Sequence, residues 1–136
     1  MYYKELKKKQ RYRVESFPYF IALTVSQLNS EIKKRNWFED DVCSVGFGCY
    51  TLKERKNDFI KMLEDNKKER VDFAKDFDNL VNMIIYEMNE MNYSNTFDKE
   101  GTTENILWNI DEDIQKLDRF DEAWIKAEEI VKGKAN

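Results

Sequence analysis

The stretch VDFAKDFDNLVNMIIYEMNEM, residues 71–91, decides the fold. Phe73, Phe77, Leu80, Ile84, Met88 and Met91 recur at steps of three and four. Val71, Ala74, Val81 and Ile85 widen the same stripe. A stripe of that width and period belongs to a helix buried on more than one side. Upstream, Phe59, Met62, Leu63 and Asn66 carry a shorter stripe, and residues 65–70 are polar throughout. One straight helix over residues 53–92 would span roughly 60 Å, too long for a domain of this size. The pattern predicts two helices, or one bent helix, with the junction at 66–70.

Outward from this segment the elements stay short. Residues 92–101 read as a loop. Thr102 or Thr103 caps a helix that runs through Trp108, and Asp111 caps a further turn holding Ile114 and Leu117. Asp118 caps the last helix, in which Phe120, Trp124, Ala127 and Val131 are helically spaced and Gly133 is the C-terminal stop. On the other side, residues 42–52 are strand-like. Gly46 and Gly48 there mark a bulge, a hairpin turn or a close backbone approach. Residues 19–24 form a buried strand, Ser26 caps a helix to about Asn36, and residues 2–15 form a first helix stopped by Pro18. The expectation is one domain over 1–136, α+β and mainly helical. About five to six helices surround one small two- or three-stranded sheet, with 71–91 as its central packing partner.

Composition excludes more than it identifies. The 136 residues contain no His, which removes His bases, Ser-His and Cys-His nucleophiles and His-ligated metals. Cys43 and Cys49 are too few for a disulfide framework and are not a CxxC pair; they read as free thiols in a reducing compartment. The apolar run after the basic residues 7–13 is short and interrupted by Pro18, so no secretory signal or membrane span is expected, and the expected location is cytoplasmic. The GFG of residues 46–48 lacks the third glycine of a dinucleotide fingerprint.

The net charge of −4 is unevenly spread. Residues 1–70 carry +5 and residues 71–136 carry −9. The densest acidic cluster is Asp111-Glu112-Asp113, with Asp118, Asp121 and Glu122 nearby and Glu104 upstream. Such carboxylates hold Mg²⁺ or work as acid and base when buried and convergent; at helix starts they cap and complement the dipole. Asp98, Glu100 and Glu104 flank a loop that lacks the EF-hand ligand pattern. Lys4, Lys7, Lys8 and Arg11 share one face of the first helix, a candidate phosphate-binding surface on which Tyr3 and Tyr12 would stack bases. The acidic balance of the whole chain argues against nucleic acid as its main partner.

Three stretches carry a resemblance: FPYFIALTVSQL (17–28), CSVGFGCY (43–50) and YEMNEMNYSNTFDKEGTTENILWNI (86–110). Together they resemble a family of small proteins encoded by phages and mobile elements of low-GC Gram-positive bacteria. That family shares an FPxFxAF segment, a Gly-rich aromatic strand and a YELxNxEYxxTxD block. Met91 stands where the block often carries His, and no catalytic residue carries over. The resemblance implies a non-catalytic inhibitor of a bacterial defence system, of anti-CRISPR type, needing no cofactor or metal. Its partner would be a host defence protein or ribonucleoprotein such as a CRISPR effector, with carboxylates replacing phosphates on a basic channel. The partner-binding residues expected on this view are Glu104, Asp111, Glu112, Asp113, Asp121 and Glu122, largely exposed. Two other readings stay open: a metal-dependent enzyme built on the acidic cluster, and a regulatory protein binding nucleic acid through the first helix.

Overall fold

The computed structural model describes residues 2–135. Among them the chain forms seven α-helices and one three-stranded antiparallel sheet, a mainly helical α+β fold. The chain divides into two compact units. One runs up to Lys9 and resumes at Lys67; the other is Gln10–Asn66. Helix α1 (Tyr3–Glu15) and helix α3 (Lys56–Ala74) each contribute residues to both.

In the unit Gln10–Asn66, β1 (Tyr19–Ile21) is shorter than the expected 19–24. The reason is capping. Thr24 is extended, and its hydroxyl accepts the Gln27 N–H at 3.1 Å, while the Gln27 side chain accepts the Leu23 N–H at 2.7 Å. Thr24-Val25-Ser26-Gln27 is a threonine-to-glutamine capping pattern, so α2 (Val25–Lys34) begins before Ser26. The strand-like segment 42–52 is a hairpin of β2 (Val42–Gly46) and β3 (Cys49–Leu52). Its tip holds Gly46, Phe47 and Gly48 at φ 97°, 53° and 75°. The turn resets the alternation, so Phe47 projects fully into solvent rather than sharing a face with Val45. The sheet order is β1-β3-β2, with Phe20 opposite Tyr50 and Cys43 opposite Thr51. Phe20, Ala22 and Ile32 form a small core with Leu28, Trp37, Val42 and Tyr50 packed on it. Within this unit the sheet packs on α2.

The other unit is helical. Here α4 (Phe77–Glu90), α5 (Lys99–Trp108), α6 (Glu112–Gln115) and α7 (Phe120–Ala135) join the end of α3 and the start of α1. The junction between α3 and α4 lies at residues 75–76, not 66–70. Asp76 is extended and accepts the Asn79 N–H at 3.0 Å, a strong N-cap directly before the apolar run. The polar run 65–70 stays helical because Lys, Glu and Arg are good helix formers. Within the unit Gln10–Asn66, buried Asn66 is satisfied by Gln10 Nε2 on its carbonyl at 2.8 Å and Arg13 on its side-chain oxygen at 3.0 Å. Helix α5 starts at Lys99, before Thr102 and Thr103, because Asp98 caps it and accepts the Gly101 N–H at 3.0 Å. A Cβ at Gly101 would collide with that carboxylate. The last helix follows Arg119, whose carbonyl accepts the Ala123 N–H at 2.9 Å, one residue past Asp118. It runs through Gly133 without stopping.

The core of this unit is the seam of α4 and α7. Leu80, Ile84 and Met88 meet Ala123, Ala127 and Val131, all buried. Small residues on α7 let the two helices approach closely while α4 supplies the bulk. Ile84 is 0 % exposed, so Ile84→Ala removes its transfer free energy and leaves a cavity. Urea denaturation is expected to show a loss of about 2–5 kcal/mol. A loss below about 1 kcal/mol would show that α4 is not the centre of the core.

Candidate functional site

The corner between α5 and α6 combines a fixed floor with an exposed rim. Ile106, Ile110 and Ile114 are buried and anchor both helices to the core. The Gln115 side chain donates to the carbonyls of Leu107 and Ile110, both at 2.8 Å, and ties α6 back onto the end of α5. Trp108, one residue before the α5 C-cap, stands outside the floor and is 89 % exposed. It borders a shallow groove of about 500 Å³, and Glu104, Asp111 and Glu112 also line it. A groove with an exposed indole and a carboxylate rim suits a cationic protein surface. The indole supplies apolar area and a π face, and the carboxylates supply charge.

Of the expected partner-binding residues, the structure gathers Glu104, Asp111 and Glu112 at this groove. Glu104 and Glu112 are exposed and make no ion pair among the described residues. Asp111 differs: it is half-buried and grips Arg70 in a two-point contact, Nε to Oδ2 at 2.7 Å and Nη2 to Oδ1 at 3.0 Å. It occupies the N-cap position of α6 but makes no side-chain cap bond, because Arg70 takes its oxygens. Asp113 pairs with Lys67 at 3.1 Å. Asp121 and Glu122 sit in the first turn of α7 and do not line the groove. Arg119 forks onto Glu122 at 2.9 and 3.0 Å and holds its carboxyl below the usual range. No cluster of three or more carboxylates or thiols converges on a metal position among the described residues. Asp111, Asp113 and Glu122 are directed at Arg70, Lys67 and Arg119.

The basic face of α1 divides in the same way. Lys4, Lys8 and Arg11 are exposed. Lys7 turns inward, and its ammonium donates to Glu87 Oε1 at 2.9 Å. Glu87, only 1 % exposed, also accepts the Tyr3 hydroxyl at 3.0 Å. Burial pushes the Tyr3 hydroxyl far above its ordinary value, and the neighbouring Glu87 charge pushes it further. The Lys7 ammonium lies 5.0 Å from the Tyr86 ring centroid, adding an aromatic face to the site. This buried carboxylate was the main polar feature missed from sequence. Its signal is its place inside the α4 stripe, three residues after Ile84 and four before Met91.

The distinctive block 86–110 is accounted for locally. Tyr93 donates to Glu128 at 2.6 Å, and Lys99 donates to the Tyr93 carbonyl. Asn92 turns the chain at φ 51°, and the Thr96 hydroxyl accepts the Asp98 N–H at 3.2 Å. The block is the mould for the start of α5 and for its seat near α7. Cys43 and Cys49 are free and half-buried.

The acidic residues are thus separable by experiment. Asp111→Asn weakens a charge-assisted fork to a half-buried arginine and is expected to cost about 1–3 kcal/mol. Glu112→Gln, at an exposed carboxylate, is expected to stay within about 0.5 kcal/mol. Equal effects of the two changes in urea denaturation would contradict this division of labour.

Neither a curated protein nor a solved structure matches the chain. A family model does match residues 2–129, nearly the whole sequence, including both units and the α5–α6 corner. Its description is a family of unknown function, DUF7659, and the chain belongs to that family.

Proposed function

We propose that this chain is a non-catalytic protein-binding module whose α5–α6 corner docks onto a basic surface of its partner. The observation that carries the reading is Trp108, exposed beside the unpaired carboxylates of Glu104 and Glu112 on a floor held by Gln115. An exposed tryptophan on a rigid support loses little conformational freedom on binding and buries a large area. The carboxylates steer a cationic partner and fix its register. The resemblance to phage and mobile-element proteins of Gram-positive bacteria supports a particular setting: the bacterial cytoplasm, and a defence nuclease or ribonucleoprotein, such as a CRISPR effector, that normally holds phosphates on that surface. The protein then acts by occupation, with no chemistry of its own.

The test compares three forms of the protein as inhibitors of the host's defence nuclease and as baits for it. Trp108→Ala is expected to leave stability within about 0.5 kcal/mol and to weaken binding by roughly thirtyfold, as a central anchor does. Glu104→Lys with Glu112→Lys is expected to slow association and flatten its dependence on salt. Unchanged inhibition by both variants, or capture of nucleic acid in place of a protein, would overturn the proposal.

A further inference from the structure

We infer that a second recognition site lies in the unit Gln10–Asn66, a pocket for the guanidinium of an arginine side chain on a partner protein. It lies apart from the α5–α6 groove along the chain, and its success or failure does not depend on that reading.

The pocket follows from how α2 ends. Asn36 takes φ 59° after the last helical turn and redirects the chain, so Trp37 and Phe38 leave the helix in succession. Trp37 is half-buried and lies 5.9 Å from the Phe20 ring, which fixes its plane. Phe38 is 77 % exposed. The short 3-10 turn Glu39–Asp41 then returns the chain to β2. Trp37, Phe38 and Asp41 line one part of a depression of about 380 Å³, and Leu52, Lys53 and Glu54 line the rest. That volume is near the small end of ligand pockets, which run from about 300 to 1,000 Å³, and suits a single long side chain better than a cofactor.

Charge selects the occupant. Asp41, Glu54 and Lys53 make no ion pair among the described residues, so the lining residues carry two carboxylates against one ammonium. Glu39 and Asp40 add further negative charge in the adjoining turn. Aromatic rings present their negative faces to cations, and tryptophan does so most strongly. A guanidinium uses both features, stacking its plane on the indole while its N–H groups fork onto a carboxylate; an ammonium does only the second well. A guanidinium of the chain itself already lies near this ring, between it and Phe20. It belongs to Arg35, which does not line the pocket, and lies 5.8 Å from the Trp37 centroid.

The experiment titrates Nα-acetyl-arginine N-methylamide into the full ¹⁵N-labelled chain and follows the indole N–H of Trp37, with those of Trp108 and Trp124 as internal controls. The Trp37 resonance is expected to shift saturably while the citrulline analogue, which has the same shape and no charge, leaves it in place. Asp41→Asn with Glu54→Gln is expected to weaken the binding about fivefold, the scale of two exposed charge contacts. Lys53→Met, which removes the competing ammonium, is expected to tighten it about twofold. This second variant keeps both carboxylates, so the charge claim is tested whatever the double variant does to folding. A Trp37 signal that does not move, an equal response to citrulline, or weaker binding by Lys53→Met would overturn the inference.

Discussion

The close seam between α4 and α7 is the constraint on which the helical unit depends. Leu80, Ile84 and Met88 fill the space that Ala123, Ala127 and Val131 leave open. The same core receives Ile106, Ile110 and Ile114 from the α5–α6 corner. Burial of α4 on several sides also forces a choice at Glu87, a carboxylate drawn into the interior by its place on the stripe. A lone buried carboxylate would cost several kcal/mol. Tyr3 and Lys7 of α1 offset that cost with two hydrogen bonds to the carboxylate, one of them from a charged donor. The start of α1 is thereby bound to α4 by a polar contact that no purely apolar packing would specify.

Electrostatics in this chain does two kinds of work, and the presence of an internal partner separates them. Asp111, Glu87 and Glu122 are matched within the fold by Arg70, Lys7 and Arg119. Glu104 and Glu112 have no such match and flank the most exposed tryptophan of the chain. The proposed docking would use this indole and these two carboxylates, which stand in water on a hydrogen-bonded corner and so lose little freedom on binding. The net −9 of residues 71–136 overstates the charge left free on this surface, because part of it is neutralised where it stands.

Much of the fold was legible in the sequence. The 71–91 stripe identified the central helical segment, and the glycines at 46 and 48 marked the hairpin among the alternatives. Boundaries were less legible, at three helix starts for the same reason. Thr24, Asp76 and Asp98 each cap a helix earlier or later than the apolar pattern suggests. In each case the decisive signal was a side chain able to accept the N–H three residues on, not the stripe itself. The site was half legible. The acidic region drew attention to Glu104, Asp111 and Glu112, yet charge alone could not distinguish Asp111, which faces Arg70, from its exposed neighbours. Trp108 read as the end of a helix, because nothing in a one-dimensional pattern says that an aromatic residue at a helix terminus points to water. The inward turn of Lys7 was hidden for the same reason: its partner lies 80 residues away.

The account's central claim is that the α5–α6 corner is a working surface and the rest of the helical unit its support. Hydrogen exchange of the full chain, free and saturated with its captured partner, tests this most directly. The account predicts new protection concentrated in residues 104–115, with α4 and α7 already protected in the free protein and unchanged. Protection confined to the exposed face of α1, or a corner that exchanges equally fast in both states, would contradict it.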